Sequence, residues 1–186
     1  NNLQTVGDAK ISTAVKKYGA GSMSFDGTGD YLKSNQPINS LYQFSGDFTV
    51  EMWIRSGSYT SVNSAYSTMF ATSAYNSTGI GIKLQDTGGS GTTGCACVWY
   101  NNSQILTGSS NLADNNWHFI AISRSGTTIR LFVDGNQQAS ATNSATFSVA
   151  SGYPLIGADT TTSGNFNGYI DDLRITQGVA RYTANF

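Results

Sequence analysis

Apolar and polar residues alternate with a period of two over several short stretches of the chain. The clearest example is residues 48–55, which read F-T-V-E-M-W-I-R. Successive side chains of an extended strand point to opposite faces, so this stretch predicts a strand with one buried face. That face would carry Phe48, Val50, Met52 and Ile54.

Further strands are predicted where the alternation recurs between turn-forming residues. Residues 117–136 are predicted to form a hairpin. Its second strand ends in Asp134-Gly135, which is itself a strong hairpin-turn signal. No segment of helical length shows an apolar stripe with a period of 3.6. We therefore predict an all-β domain in which two antiparallel sheets stack as a β-sandwich of the jelly-roll type. The remaining predicted strands lie at 22–25, 31–33, 68–72, 79–84, 95–100, 154–157 and 168–176.

Length and charge narrow the possible partners. The 186 residues fit a single domain. Charged residues make up 11% of the chain and the net charge is −1, so no electrostatic field favours nucleic acid or an anionic membrane. No apolar run approaches the ~20 residues that a membrane-spanning helix needs. We expect neither nucleic-acid binding nor membrane insertion.

Four segments follow one another in an order that resembles a known family. They are G-A-G-S-M-S-F-D-G-T-G-D-Y-L, F-T-V-E-M-W-I-R, N-N-W-H-F-I-A-I-S-R-S-G-T-T-I-R-L-F-V-D-G and G-Y-I-D-D-L-R-I-T-Q-G-V-A-R-Y. The chain resembles the laminin-G-like jelly rolls of the concanavalin A-like lectin/glucanase superfamily. Its closing segment is most similar to versions found in bacteriophage structural and tail-fibre proteins. The resemblance covers about residues 18–186, and residues 1–17 are interpreted as a lead-in segment.

Asp26 and Asp30 bracket a glycine-rich stretch, and two interpretations of it stay open. In the first, the stretch is a tight turn whose aspartates accept hydrogen bonds from nearby backbone. In the second it binds Ca²⁺, which takes six to eight oxygen ligands. The EF-hand pattern fails, because Tyr31 and Pro37 stand where glycine and glutamate are needed. The family resemblance implies a structural Ca²⁺ between this loop and Asp171, with Asp172 as the alternative third carboxylate.

Catalytic residues are scarce. Glycan hydrolysis requires two cooperating carboxyl groups, but Glu51 is the only glutamate in the chain. Asp171 and Asp172 are adjacent in a predicted strand, so they should point to opposite faces. His118 is the only histidine, and no G-x-S-x-G nucleophile elbow accompanies it. We therefore expect no enzymatic activity.

Two cysteines alternate with an alanine in a predicted strand. Cys95 and Cys97 should therefore share one face, where two same-strand neighbours do not easily reach disulfide geometry. We expect both to be reduced and to face the core. Together with His118 they are too few for a zinc site.

Tyrosines placed in loops rich in Ser, Asn and Thr are the candidate ligand-binding residues. Rigid rings supply contact area and small polar residues supply hydrogen bonds, a combination typical of recognition surfaces. The alternative is that each ring anchors its loop on the sandwich edge. The tryptophans Trp53, Trp99 and Trp117 lie on predicted strands and are expected to pack in the core. The candidate tyrosines are Tyr59, Tyr66, Tyr75 and Tyr153.

We predict a non-catalytic binding or adhesion module whose target is a cell-surface glycan. The expected setting is a phage virion appendage or another extracellular structure. The alternative is a structural decoration or assembly domain, which would contact sister subunits or virion proteins and bind no sugar.

Overall fold

The computed structural model describes residues 3–34, 42–57, 66–72, 78–85, 92–148, 154–159 and 164–186. No helix within these ranges is long and apolar enough to cross a membrane. The described strands are β1 (Leu3–Val6), β2 (Lys10–Ser12), β3 (Ser22–Asp26), β4 (Tyr31–Ser34), β5 (Phe48–Arg55), β6 (Tyr66–Ala71), β7 (Ile80–Gln85), β8 (Ala96–Tyr100), β9 (Ser103–Thr107), β10 (Trp117–Ser125), β11 (Thr128–Val133), β12 (Asn136–Thr142), β13 (Leu155–Ile156) and β14 (Asn167–Gln177).

The strands form two sheets of seven strands each. The first sheet has the order β1-β4-β13-β6-β7-β8-β9, and the second has the order β12-β11-β10-β5-β14-β3-β2. Every strand pair is antiparallel. The predicted all-β, two-sheet sandwich is therefore confirmed. Residues 3–12 of the lead-in segment contribute an edge strand to each sheet, β1 and β2.

The core lies between the inner faces of the two sheets. In the second sheet, β5 supplies four fully buried apolar side chains, which are the ones that its alternation predicts. In the first sheet, β7 supplies Ile80, Ile82 and Leu84, which are also fully buried. Each such side chain contributes roughly 1.5–3 kcal/mol of transfer free energy, against which conformational entropy must be set.

The turn after β11 also agrees with the sequence. Asp134 and Gly135 have φ angles of +49° and +79°, the left-handed geometry that a two-residue hairpin turn requires. In contrast, β1, β2, β9 and β12 are not among the strands predicted from the sequence. These four are the edge strands of the two sheets, and their sequences, L-Q-T-V, K-I-S, S-Q-I-L-T and N-Q-Q-A-S-A-T, carry few apolar residues.

Residues 178–186 run back over the outer face of the second sheet. Thr49 fixes this segment twice: its hydroxyl donates to the carbonyl of Val179 at 3.0 Å and accepts from the amide of Arg181 at 2.9 Å. Tyr182 and Phe186 stack on each other with their ring centroids 3.8 Å apart. We call this stretch the C-terminal segment.

Arg124 closes one end of the core. Its side chain is buried, and its guanidinium lies 5.1 Å from the ring centroids of both Phe48 and Phe147. The guanidinium donates hydrogen bonds to the backbone carbonyls of Phe44, Gly46 and Ala145, at distances between 2.6 and 3.1 Å. These bonds tie two loops to β10.

Replacing Arg124 by methionine should destabilise the fold by about 3 kcal/mol, because buried carbonyl groups would lose their donors. Urea unfolding followed by circular dichroism measures this loss. Arg130→Met is the matched control, because Arg130 is only partly buried and the one hydrogen bond of its side chain within the described ranges is a 3.4 Å bond to the carbonyl of Thr128. Equal stability of the two variants would contradict this role for Arg124.

Candidate functional site

The outer face of the first sheet carries polar side chains that are nevertheless buried. On β7, Ile82 and Leu84 point into the core, so Lys83 and Gln85 point to the outer face. Lys83 is 1% exposed and Gln85 is fully buried. Lysine is almost never buried unless it is paired. This face therefore needs a closer description.

Lys83 is paired with Asp159, which follows β13. Lys83 Nζ lies 2.7 Å from Asp159 Oδ2, and both side chains are almost completely buried. A buried ion pair is seldom more stable than apolar residues of the same volume, because both charges lose their hydration. Stability alone therefore does not account for the pair.

Two aromatic rings flank the ammonium group of Lys83. Lys83 Nζ lies 5.4 Å from the ring centroid of Tyr66 and 5.9 Å from that of Trp99. The two rings meet edge to face, with centroids 5.0 Å apart and an interplanar angle of 68°. Both side chains are partly buried, so each keeps surface that solvent reaches.

Gly81 makes room for this arrangement. A Cβ atom at position 81 would lie 3.1 Å from Lys83 Cε, which is closer than ordinary van der Waals contact. The backbone of Gly81 has no left-handed φ angle, so space for the Lys83 side chain is what this glycine provides.

Amide and hydroxyl groups border the rings. Gln104 Nε2 donates to Gln85 Oε1 at 2.6 Å and to Thr107 Oγ1 at 2.8 Å. Three buried atoms on or near this face have no hydrogen-bond partner within the part of the chain that the structure describes: Thr68 Oγ1, Gln85 Nε2 and Asn165 Oδ1. We call Tyr66, Lys83, Gln85, Trp99, Gln104 and Asp159 the Trp99 cluster.

Cys97 lies beside Lys83 on the same face. The two residues are cross-strand partners, whereas Ala96 and Val98 belong to the core. The expectation that the cysteines face the core is therefore wrong, because the alternation of β8 is offset by one residue. Burial raises the pKa of the Cys97 thiol to about 12, so it is not a nucleophile at neutral pH. Cys95 and Cys97 are both free thiols, as expected.

The sequence matches the family described as the concanavalin A-like lectin/glucanases superfamily over residues 26–181. This match spans most of the 186 residues and includes strands of both sheets. The chain belongs to this superfamily. No curated protein matches it in sequence.

Solved structures of the superfamily fold are similar in shape and distant in sequence. Domain 4 of AbnA, a GH43 extracellular arabinanase from Geobacillus stearothermophilus solved with arabinotriose, has a TM-score of 0.69 and 18% identity. That match covers 96% of this chain and 82% of the other. The binding domain of Paraclostridial Mosquitocidal Protein 1 gives 0.68 and 15%, covering 95% and 44%. Mouse laminin alpha1 domains LG4-5 give 0.58 and 20%, covering 83% and 40%. The chain thus spans less than half of the last two structures.

The aspartates expected to bind Ca²⁺ are held by backbone amides. Asp30 is 1% exposed, and its carboxylate accepts from the amides of Asp8 at 2.5 Å and Asp26 at 3.0 Å. Asp26 accepts from the amide of Thr28 at 2.7 Å, which is an Asx turn. These hydrogen bonds agree with the interpretation of the glycine-rich stretch as a tight turn.

Asp171 lies elsewhere on the second sheet. Its carboxylate accepts from the amides of Lys17 at 2.8 Å and Tyr18 at 3.0 Å. Among the described residues, no three His, Cys, Asp or Glu side chains come together in a way that could hold a metal ion. Ca²⁺ binding by Asp26, Asp30 and Asp171 stays a prediction.

The alternative ligand Asp172 sits in a β-bulge. The pairing of β14 with β5 shifts between Asp171 and Arg174, and Asp172 has a φ angle of +48°. The strand is thus irregular at the point where the sequence predicts simple alternation. Asp172 is exposed.

Glu51 and His118, the two other residues considered for catalysis, both belong to ion pairs. Glu51 is buried and binds Arg174 and Arg181 on the outer face of the second sheet. His118 bridges Asp134 at 2.8 Å and Asp114 at 3.1 Å. Partial burial opposes its charged form, but the bonds and charges of the two aspartates prevail and raise the pKa of His118 above its ordinary value.

One of the four candidate tyrosines belongs to the Trp99 cluster. Tyr66 begins β6, whereas Tyr59, Tyr75 and Tyr153 lie outside the described residues. The core assignment is wrong for all three tryptophans. Trp99 lies on the outer face of the first sheet opposite Gly81, whereas Trp53 and Trp117 lie on the outer face of the second sheet. The sequence could have predicted the outward position of Trp99, because Ala96 and Val98 face the core and Trp99 alternates with them along β8.

Asp30→Ala should destabilise the protein by about 2 kcal/mol, because two buried backbone amides would lose a charged acceptor. If the turn interpretation holds, the loss should be the same in excess CaCl₂ and in excess chelator, as measured by thermal unfolding. Asp26→Ala is the control, since it removes one exposed bond. A loss that appears only with Ca²⁺ would show that Asp30 acts as a metal ligand.

Breaking the buried ion pair on one side should cost more than removing both charges. We expect Lys83→Met to lose about 3 kcal/mol and the double variant Lys83→Met/Asp159→Leu to lose clearly less, since no unpaired charge remains buried. Chemical unfolding of both variants measures the difference. Lys10→Met, on the exposed strand β2, should change stability by less than about 0.5 kcal/mol. Additive losses would contradict direct coupling between Lys83 and Asp159.

Proposed function

We propose that this chain is a non-catalytic module that binds a neutral glycan on the outer face of its first sheet, over the Trp99 cluster. The observation that carries the proposal is the edge-to-face pair of Tyr66 and Trp99 beside a buried but polar floor. The C–H face of a sugar ring packs against an aromatic ring, while its hydroxyls need donors and acceptors nearby.

The polar groups of the cluster suit hydroxyl groups. Gln85 and Gln104 present amides, which both donate and accept hydrogen bonds. Lys83 and Asp159 neutralise each other, so the face carries no net charge from this pair. A neutral saccharide therefore fits the cluster better than an acidic one. The ion pair also fixes the lysine stem under the rings and keeps the site preorganised.

Relatives with the same fold support a binding role. Domain 4 of the extracellular arabinanase was solved with arabinotriose, and another similar structure is described as the binding domain of a mosquitocidal protein. The same fold hosts many functions. The proposal therefore rests on the residues of the Trp99 cluster, and the similar structures give additional support.

The proposal excludes glycan hydrolysis on chemical grounds. Hydrolysis needs two carboxyl groups about 5–9.5 Å apart, one of them free to donate a proton. Glu51 is bound by two arginines on the opposite sheet, and Asp159 is bound by Lys83. Both carboxylates are therefore already held in ion pairs.

The proposed setting is extracellular, on a bacteriophage virion appendage or another surface structure. The resemblance noted in the closing segment suggests the phage setting, and the extracellular arabinanase among the similar structures supports an extracellular one. A cell-surface glycan would then be the partner.

A second function is favoured by one specific observation. Leu3 and Ile11 are 49% and 70% exposed on the edge strands β1 and β2, and both line an apolar cleft of about 550 Å³. An assembly or decoration domain that contacts sister subunits would cover such a surface. This alternative would be supported if the protein bound no sugar on a glycan array and formed a concentration-dependent oligomer in light scattering.

Trp99→Leu should abolish glycan binding on a glycan array and in titrations with arabinotriose, the first soluble probe. Leucine keeps apolar volume at the site but removes the stacking ring. Trp53→Leu is the matched control, because Trp53 is also partly buried but lies on the opposite sheet. Retained binding by a folded Trp99→Leu variant, or a loss that is equal in both variants, would overturn the proposed site.

A further inference from the structure

A second aromatic site lies on the outer face of the second sheet. Its cleft has a volume of about 320 Å³ and is lined by Trp53, Phe119, Asp134, Gly135 and Phe186. Three of the five residues are aromatic and one is an acid. The cleft lies on the opposite side of the sandwich from the Trp99 cluster and is independent of the proposed glycan site.

The rings of this cleft are set at steep angles to one another. Trp53 and Phe119 have centroids 5.4 Å apart and an interplanar angle of 56°, and Phe119 and Phe186 are 5.9 Å apart at 89°. Rings at such angles form the walls of a corner, unlike parallel rings that cover each other. Tyr182 stacks on Phe186 and holds that wall in place.

The acid in the cleft is also fixed. Asp134 Oδ1 accepts from the amide of Phe119 at 2.8 Å, and Asp134 Oδ2 lies 2.8 Å from His118 Nδ1. These bonds orient the carboxylate, which is still 44% exposed. The cleft thus combines three aromatic rings with a positioned negative group.

Trp53 already binds a cation from its own chain. Lys17 Nζ lies 4.0 Å from the centroid of the Trp53 ring. Among the described residues, Lys17 does not belong to the lining of the cleft, so the cleft is not filled by this side chain. The contact is a cation–π interaction of the Trp53 ring with a residue outside the lining of the cleft.

We propose that this cleft binds the quaternary ammonium group of a small soluble molecule. Such a cation is bulky and weakly hydrated, so it gains both apolar contact and cation–π attraction against several rings. Asp134 supplies the opposite charge. A cleft of this volume accommodates a trimethylammonium group with its short substituent.

The test is a titration of the intact chain with choline, followed by the NMR signal of the Trp53 indole. We expect saturable binding in the millimolar range, and about tenfold weaker binding of the neutral carbon analogue of choline, in which carbon replaces the nitrogen. Equal binding of the two compounds would overturn the proposal, since it would show an apolar cleft only. A lack of saturable binding would overturn it as well.

Two variants locate the site. Trp53→Leu and Phe186→Leu should each weaken choline binding several-fold. Phe186 is 57% exposed, so its replacement tests the site even if Trp53→Leu does not fold. Trp99→Leu should leave choline binding unchanged. Choline binding that is retained in folded Phe186→Leu, and in Trp53→Leu where it folds, would contradict the assignment to this cleft.

Discussion

The strict alternation of side chains along the strands is the constraint on which the rest of the structure depends. One face of β5 and one face of β7 pack in the core, so the remaining side chains of both strands lie on the outer faces of the two sheets. The two sheets accommodate these side chains differently. The second sheet packs its C-terminal segment over Thr49 and Ser123, whereas the first sheet buries an ion pair and amides beside two rings.

Six charged residues form three arrangements in which at least one charged side chain is buried. Arg124 closes the end of the core, Glu51 binds Arg174 and Arg181 under the C-terminal segment, and Lys83 binds Asp159. All three arrangements connect distant parts of the chain, since Lys83 and Asp159 are 76 positions apart. The Lys83–Asp159 pair differs because both of its charges are buried on the outer face of one sheet, where apolar residues of the same volume often serve the fold equally well. A local departure from packing rules that has no structural need is typical of a functional site.

The fold could be predicted from the sequence because the alternation of apolar and polar residues shows which face of a strand is buried. Phe48 to Ile54 and the Asp134-Gly135 turn needed no tertiary information. The edge strands β9 and β12 carried too few apolar residues to be recognised. The site was predictable only in part. Tyr66 was named from its surroundings, but Trp99 was assigned to the core because an aromatic residue on a strand is usually buried there. Asp30 was considered a metal ligand because its amide partners, among them Asp8, are visible only in three dimensions.

The central claim is that the ring of Trp99 packs against the glycan, whereas the rings of the other two tryptophans do not. The most direct measurement is an NMR titration of ¹⁵N-labelled protein with a saccharide that it binds, because the indole N–H signals of Trp53, Trp99 and Trp117 report on separate places. The account predicts a saturable shift of the Trp99 indole with the Trp53 and Trp117 signals unchanged. A shift of Trp53 or Trp117 with an unmoved Trp99 signal would contradict it.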